Sequence, residues 1–246
     1  MKRTLVFTLA LLGLSTLAFG DTLQILTSRA QQNPNDIIDW SQLGPDSTDI
    51  GTPALVSSFN GNLALVGDFG GGDFFRSDSG TSWFGNFDYG ETLIWTGNPN
   101  PIVGLGGGGP FVIEFQNPVN SFGFQIQADL LGPFTADVFV LDPSNSLLGV
   151  GTFNGVSTFA TFDGSALFVG MADYVGSVGV NNIGAIIIAT DSGSRDWNND
   201  FAIDDVSLYT TPEPGSVALL GSVMLFLGFR LRNRFKKSGS VLEARQ

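Results

Sequence analysis

The 246-residue chain has no cysteine and no histidine. That excludes a disulfide framework, a thiol nucleophile, a Ser-His-Asp triad and the usual zinc sites. The missing cysteines do not compromise folding, because a body of roughly 200 residues can bury enough apolar surface without staples. Cations are scarce as well: 11 Lys and Arg stand against 23 Asp and Glu, for a formal net charge of −12. Their distribution is uneven. Residues 1–20 carry Lys2 and Arg3 and no acid. Residues 21–214 hold 22 acids and only Arg29, Arg76 and Arg195, a net of −19, and residues 215–246 carry a net of +5. Such a body repels phosphate, so nucleic acid is excluded as a partner. The pattern is that of two targeting segments flanking an acidic cargo.

The first segment has the parts of a secretory signal. Basic Lys2 and Arg3 precede an apolar run over residues 5–14, and small Ala18 and Gly20 stand at −3 and −1 before Asp21. Cleavage is expected after Gly20, with Ala18 the alternative. The apolar core is short for an uncleaved anchor. Residues 1–20 are therefore read as a signal peptide and 21–210 as one exported domain.

The other end has its own grammar. Pro212 and Pro214 have fixed φ and no N–H, so they hold the chain extended around Glu213. Residues 215–229 are uncharged, and Arg230, Arg232, Arg234, Lys236 and Lys237 follow. As a helix, this uncharged run spans roughly 22 Å, short of the ~30 Å hydrocarbon core, and Arg snorkelling with local bilayer thinning covers the remainder. The positive-inside rule keeps the basic cluster cytoplasmic and the acidic body outside. An amphipathic or core helix is the competing reading, but the run lacks a polar face.

The order Pro212-Glu213-Pro214, short apolar helix, basic cluster resembles a PEP-CTERM sorting signal over residues 211–246. The resemblance implies an exosortase-like processing enzyme as partner, recognition of the Pro-Glu-Pro motif, and a transient single-pass stage with a cytoplasmic C-terminus. Release to the cell surface or an extracellular polysaccharide matrix would follow. Residues 238–246 continue past the point where such tails usually stop.

Between the signals, period-2 apolar runs alternate with Gly, Pro, Asn and Asp, which predicts an all-β antiparallel sandwich or jelly roll. Phe111, Ile113 and Phe115 share one strand face. Phe122, Phe124 and Ile126 share another, as do Ala136, Val138 and Val140. Turns are expected at residues 117–120, at Gly132-Pro133 and at residues 142–145. Residues 36–44 fit either a short strand and turn or a single helical turn. No helix-period run suits a βαβ unit. In residues 201–209 the bulky apolar residues fall on odd positions, Phe201 and Ile203, and then on even ones, Val206 and Leu208. That slip places a β-bulge at Asp204-Asp205. This nine-residue stretch resembles the closing strand of jelly-roll modules found in carbohydrate-binding and other PEP-CTERM proteins.

Candidate chemistry is sparse. Residues 104–109 satisfy G-x-G-x-x-G, but Pro110 and a strand follow where a phosphate-binding loop needs a helix, so the segment reads as a loop. The acids Asp191, Asp196, Asp200, Asp204 and Asp205, with Asn198 and Asn199, form the best candidate site. Asp196-x-Asn198-x-Asp200 matches the start of an EF-hand loop, but Phe201 and Ser207 stand where Gly and Glu belong. Solvated loop acids are preferred there to a calcium site. Glu91 and Glu114 are the formal carboxylate pair for glycoside hydrolysis, with ordinary surface acids the preferred reading. Trp83, Trp95 and Trp197 are expected in the core rather than stacked on sugars. The expectation is thus a non-catalytic exported protein, structural or carbohydrate-binding, without cofactor or metal. A carboxylate-dependent polysaccharide hydrolase and a calcium-dependent adhesin are its rivals.

Overall fold

A computed structural model describes residues 21–68, 74–97, 110–192 and 199–211. In chain order its strands are β1 (Asp21–Leu26), β2 (Asp36–Ile38), β3 (Thr48–Asp49), β4 (Ala54–Ser57), β5 (Leu63–Asp68), β6 (Phe75–Asp78), β7 (Thr92–Trp95) and β8 (Phe111–Val119). They continue as β9 (Ser121–Ala128), β10 (Gly132–Leu141), β11 (Leu147–Ser157), β12 (Leu167–Val175), β13 (Val178–Gly179), β14 (Ile183–Asp191), β15 (Phe201–Ile203) and β16 (Val206–Tyr209). Helix is confined, among the described residues, to one α-turn, α1 (Arg29–Gln32), and one 3-10 turn over Trp40–Leu43. None is long and apolar enough to cross a membrane. The signal peptide, the Gly-rich 104–109 stretch, Asp196, Trp197, Asn198 and the tail from Pro212 onward, including Arg230, Arg232, Arg234, Lys236 and Lys237, lie outside the described residues.

All named strand pairs are antiparallel and form two sheets. One runs β11-β10-β14-β8-β5-β4. The larger runs β1-β12-β9-β15-β7-β6-β3, with β16 also on β9, β2 on β16 and β13 on β12. The expected alternation builds the layer between them. Phe111, Ile113 and Phe115 from β8, Val138 and Val140 from β10, and Ile186 and Ile188 from β14 face Phe122, Phe124 and Ile126 from β9 in one buried cluster. The Phe122 and Phe124 rings stack at 6.1 Å and Phe74 meets Phe111 edge-on at 5.5 Å, geometries that aromatic quadrupoles favour. Residues 36–44 combine both expectations, since β2 leads directly into the 3-10 turn.

The expected turn at residues 117–120 is not formed as such. Strand β8 runs through Asn117 and Pro118, and only Asn120 separates it from β9, which belongs to the other sheet. Proline survives here because no ladder partner needs its N–H. Pairing with β14 jumps from Glu114↔Ala185 to Val119↔Ile183, and the Asn62 side chain takes over the ladder by bonding both the N–H and the C=O of Asn117. Gly132-Pro133 likewise opens β10 rather than forming the turn. Residues 142–145 do turn, with the Asp142 carboxylate accepting from the Ser144 and Ser146 amides and Asn145 in the left-handed region.

The bulge at Asp204-Asp205 is present. Ile203 lies opposite Ile126 and Ser207 opposite Gly123, so Asp204, Asp205 and Val206 oppose only Gln125 and Phe124. Phe201, Ile203, Val206 and Leu208 all reach the core as a result. The bulge also forks the sheet: beyond β15 lies β7, and beyond β16 lies β2.

Candidate functional site

A polar cleft of about 420 Å³ opens at this fork. Its floor is the bulge. Asp204 is 4% exposed, and its carboxylate accepts from the Gln125 amide on one oxygen and from Arg29 Nη2 at 2.6 Å on the other. The same Arg29 nitrogen donates to the Asp205 carbonyl at 3.3 Å, and Trp40 Nε1 donates to the Asp204 carbonyl at 2.7 Å.

Arg29 is aimed by local structure. A four-residue helix has no intrinsic stability, so α1 exists through its ends and its packing. Ser28 caps it through the Gln31 amide, and Asn33 closes it in the left-handed conformation that Asn tolerates. Gln32 is buried, donates to the Ser207 carbonyl at 2.9 Å and accepts from the Ser207 hydroxyl. With α1 fastened to β16, Arg29 projects over Asp204.

The walls are acidic. Asp39 caps the 3-10 turn, accepting from the Ser41 amide and hydroxyl at 2.7 Å each. Thr92 Oγ1 lies 3.1 Å from Asp39 Oδ1 and 3.3 Å from Asp205 Oδ1, so one hydroxyl sits between two carboxylates. Glu91 and Gly90 complete the rim, with Glu91 accepting from the Asp88 amide. Four carboxylates thus surround one guanidinium.

Their protonation diverges for physical reasons. Burial raises the Asp204 carboxyl well above the usual range, although Arg29 and the Gln125 amide pull the other way. Burial, reinforced by the neighbouring Asp39 charge, pushes Asp205 up to about 6. Glu91 is also raised, by burial and by Asp88. At Asp39 burial acts in the same sense, but the Ser41 and Thr92 hydrogen bonds outweigh it and hold the carboxyl below its ordinary value.

Of the acids singled out in the sequence, Asp204 and Asp205 belong to this cleft. Asp191 is exposed at the end of β14, and Asp200 is buried, with its carbonyl accepting from the Asp129 amide. Among the described residues no three acids are grouped to hold a metal ion. Glu91 and Glu114 do not form a pair. Glu114 is exposed on β8 and lines a separate groove with Leu55, Leu65 and Phe115 on the other sheet. Trp83 is buried and Trp95 half-buried, in a second apolar cluster with Phe87, Leu93, Ala166 and Ala202. By strand alternation from Ile94 and Ile203 of the main core, this cluster occupies the outer face of the larger sheet. Sequence reasoning missed Asp39, Thr92 and Arg29. Their only local signals are caps and turns, and the contacts that matter span 53 to 175 residues.

No protein-family model matches the chain, and neither does any curated protein. Among solved structures, a DUF4465 family protein from Bacteroides caccae is similar at 10% identity and a TM-score of 0.42, covering 72% of this chain and 100% of its own. A mutant family 29 carbohydrate-binding module is similar at 10% identity and a TM-score of 0.21, covering 79% and 99%. A Clostridium thermocellum xylanase 10B fragment with a family 22 module, complexed with xylohexaose, is similar at 14% identity and a TM-score of 0.20, covering 70% and 28%.

Proposed function

We propose that the chain is an exported, non-catalytic β-sandwich protein that binds polysaccharide at the cell surface or in the extracellular matrix. The cleft at the bulge carries this reading. It has the volume of a small-molecule site and is lined by carboxylates, a guanidinium, a carboxamide and a hydroxyl held by capped turns and a bulged strand. Saccharides are bound by such convergent, preorganised donors and acceptors, which replace water at each hydroxyl. Delivery follows from the ends: the leader at 1–20 exports the body, and Pro212, Glu213 and Pro214 are read by an exosortase-like enzyme while Arg230 to Lys237 stay cytoplasmic.

A glycan array probed with the purified protein is expected to show binding, with no release of reducing ends from the bound polysaccharide. Failure to bind any glycan overturns the binding reading. For sorting, Glu213→Ala and Pro214→Ala are expected to leave export intact and to block tail removal, read by intact mass. Normal processing of both variants overturns the sorting reading.

One observation favours a second reading, glycoside hydrolysis. Asp39 and Asp205 share the Thr92 hydroxyl while their carboxyls are displaced in opposite directions, the arrangement expected of a base and an acid. The pair differs from Glu91 and Glu114. Reducing-end release that is lost in Asp205→Asn would establish it.

A further inference from the structure

Beside the cleft, four aromatic rings form a surface patch that the core does not need. Phe84, Phe159 and Tyr89 are 46%, 66% and 73% exposed. Phe84 stacks on Phe159 at 6.0 Å and meets Phe162 edge-on at 6.1 Å, and Tyr89 meets Phe162 at 5.9 Å. Rings that touch one another yet remain uncovered keep apolar surface in water, a cost expected at binding sites.

The patch is built rather than incidental. It arises where residues 79–91 meet residues 158–165, and both segments are fastened to β9. Gln127, 1% exposed, accepts from the Asn86 amide at 2.7 Å and from Trp83 Nε1 at 3.2 Å, and donates to the Thr158 carbonyl at 3.0 Å. Gln125 donates to the Gly164 and Ala166 carbonyls. The Thr161 and Phe162 amides both donate to the Gly85 carbonyl. Ala160 and Phe162 are held at φ 52° and 46°, a left-handed conformation that non-glycine residues adopt reluctantly and that clusters at ligand-binding segments. Tyr89 lies against Gly80, where any Cβ would meet its ring.

Patch and cleft adjoin through shared segments. Tyr89 is followed by Gly90 and Glu91 of the cleft rim, and Gln125 lines the cleft while it holds the patch-bearing loop. Charge then selects the occupant. Arg29 is engaged by Asp204, and Arg76, the other described cation of the body, is buried and paired with Asp78 at 2.6 Å. The cleft therefore offers carboxylates with no cation to spare, in a body of net −19. An anionic polysaccharide is repelled there, and a neutral one gains nothing from the charge.

We propose that the aromatic patch and the adjoining cleft together bind a polysaccharide bearing free amino groups, its pyranose faces on Phe84, Tyr89 and Phe159 and its ammonium groups toward Asp39, Glu91 and Asp205. This rests on the polysaccharide-binding reading above and names its ligand. Aromatic faces take the C–H face of a sugar ring and attract an adjacent cation, and the carboxylates complete the ammonium's hydrogen bonds.

The test titrates the purified full chain, by calorimetry at low salt, with four probes: a β-1,4-linked glucosamine hexamer, its N-acetylated counterpart, a glucose hexamer and hexalysine. The glucosamine hexamer is expected to bind at least about tenfold more tightly than the other three. That preference should shrink at about 0.5 M salt. Phe159→Ala and Tyr89→Ala should each weaken its binding about tenfold while leaving the melting temperature unchanged, since both side chains are exposed. Equal binding of the N-acetylated or glucose hexamer overturns the amino-sugar inference and leaves the glycan reading standing. Absence of binding by every sugar hexamer overturns the amino-sugar inference, and the glycan reading falls with it only if the array is blank as well. Hexalysine as tight as the glucosamine hexamer makes the site a basic-peptide site and overturns the inference. Undiminished glucosamine binding in both ring variants removes the aromatic patch from the site and overturns it equally.

Discussion

Asp205 should make the protein less stable as the solution is made less acidic, and replacing it with Asn should remove that penalty. Its carboxyl rises from the 3.8 of a free Asp to about 6 because it is buried beside ionised Asp39. Between these two values the folded protein keeps a proton that the unfolded chain has released, so the folded state binds more protons and stability falls as pH rises through the window from about 4 to about 6. Above that window the penalty is complete and constant. Complete burial would make the difference worth about 3 kcal/mol, and the partial solvent access of Asp205 screens it to about 1–2 kcal/mol. The Asn carboxamide keeps one acceptor oxygen for Thr92 or the Trp40 amide, at the cost of part of that hydrogen bonding, while losing the charge. At pH 7.5 Asp205→Asn should therefore raise the melting temperature by roughly 3–6 °C, with little change near pH 4. Glu91, Asp129 and Asp204 are raised too, so some decline with pH should persist in the variant. Asp39, being lowered, contributes stability that is lost only as the pH falls below the ordinary carboxylate range. The measurement is a thermal unfolding series across pH 4 to 8 on both proteins. The same decline with pH in wild type and variant, or a wild-type melting temperature that climbs from pH 5 to 7, would refute the reasoning.

Gln127→Leu leaves the buried Trp83 Nε1, the Asn86 amide and the Thr158 carbonyl without their partner, at a cost of about 2–4 kcal/mol by urea unfolding. A loss below about 1 kcal/mol would show that the two loops are held by other contacts. Chelator should leave the melting temperature unchanged, because the Asp204 carboxylate already accepts from Arg29 and the Gln125 amide. A drop that added calcium reverses would restore the adhesin reading for the acids at 191–205.

Much of the architecture was legible because it is local. Period-2 alternation identified the buried faces of β8, β9 and β10, since side chains of a pleated strand alternate whatever the strand pairs with. The bulge was legible for the same reason: a switch of apolar residues from odd to even positions can keep one face buried only if a residue is inserted. Turns were less reliable where the chain passes between sheets. Asn117-Pro118 has turn chemistry, yet it stays extended because Asn62, 55 residues earlier, supplies the bonds a ladder partner would otherwise make.

The site divides along the same line. Sequence alone marked Asp204 and Asp205 as unusual, preferred solvated loop acids to calcium ligands for the 191–205 cluster, and gave the formal catalytic pair to Glu91 and Glu114. Tertiary structure decided between neighbours. The fork at the bulge brings Arg29, Asp39 and Thr92 to those carboxylates, whereas Glu114 stands on β8 of the other sheet. Gln125 and Gln127 of β9 join residues 79–91 to residues 158–165, so that rings scattered over nearly 80 positions form one surface. Composition, charge asymmetry and strand faces are properties of a residue and its near neighbours, and one chain displays them. A cleft depends on which strands pair and in what register, and only the folded arrangement of both sheets specifies that.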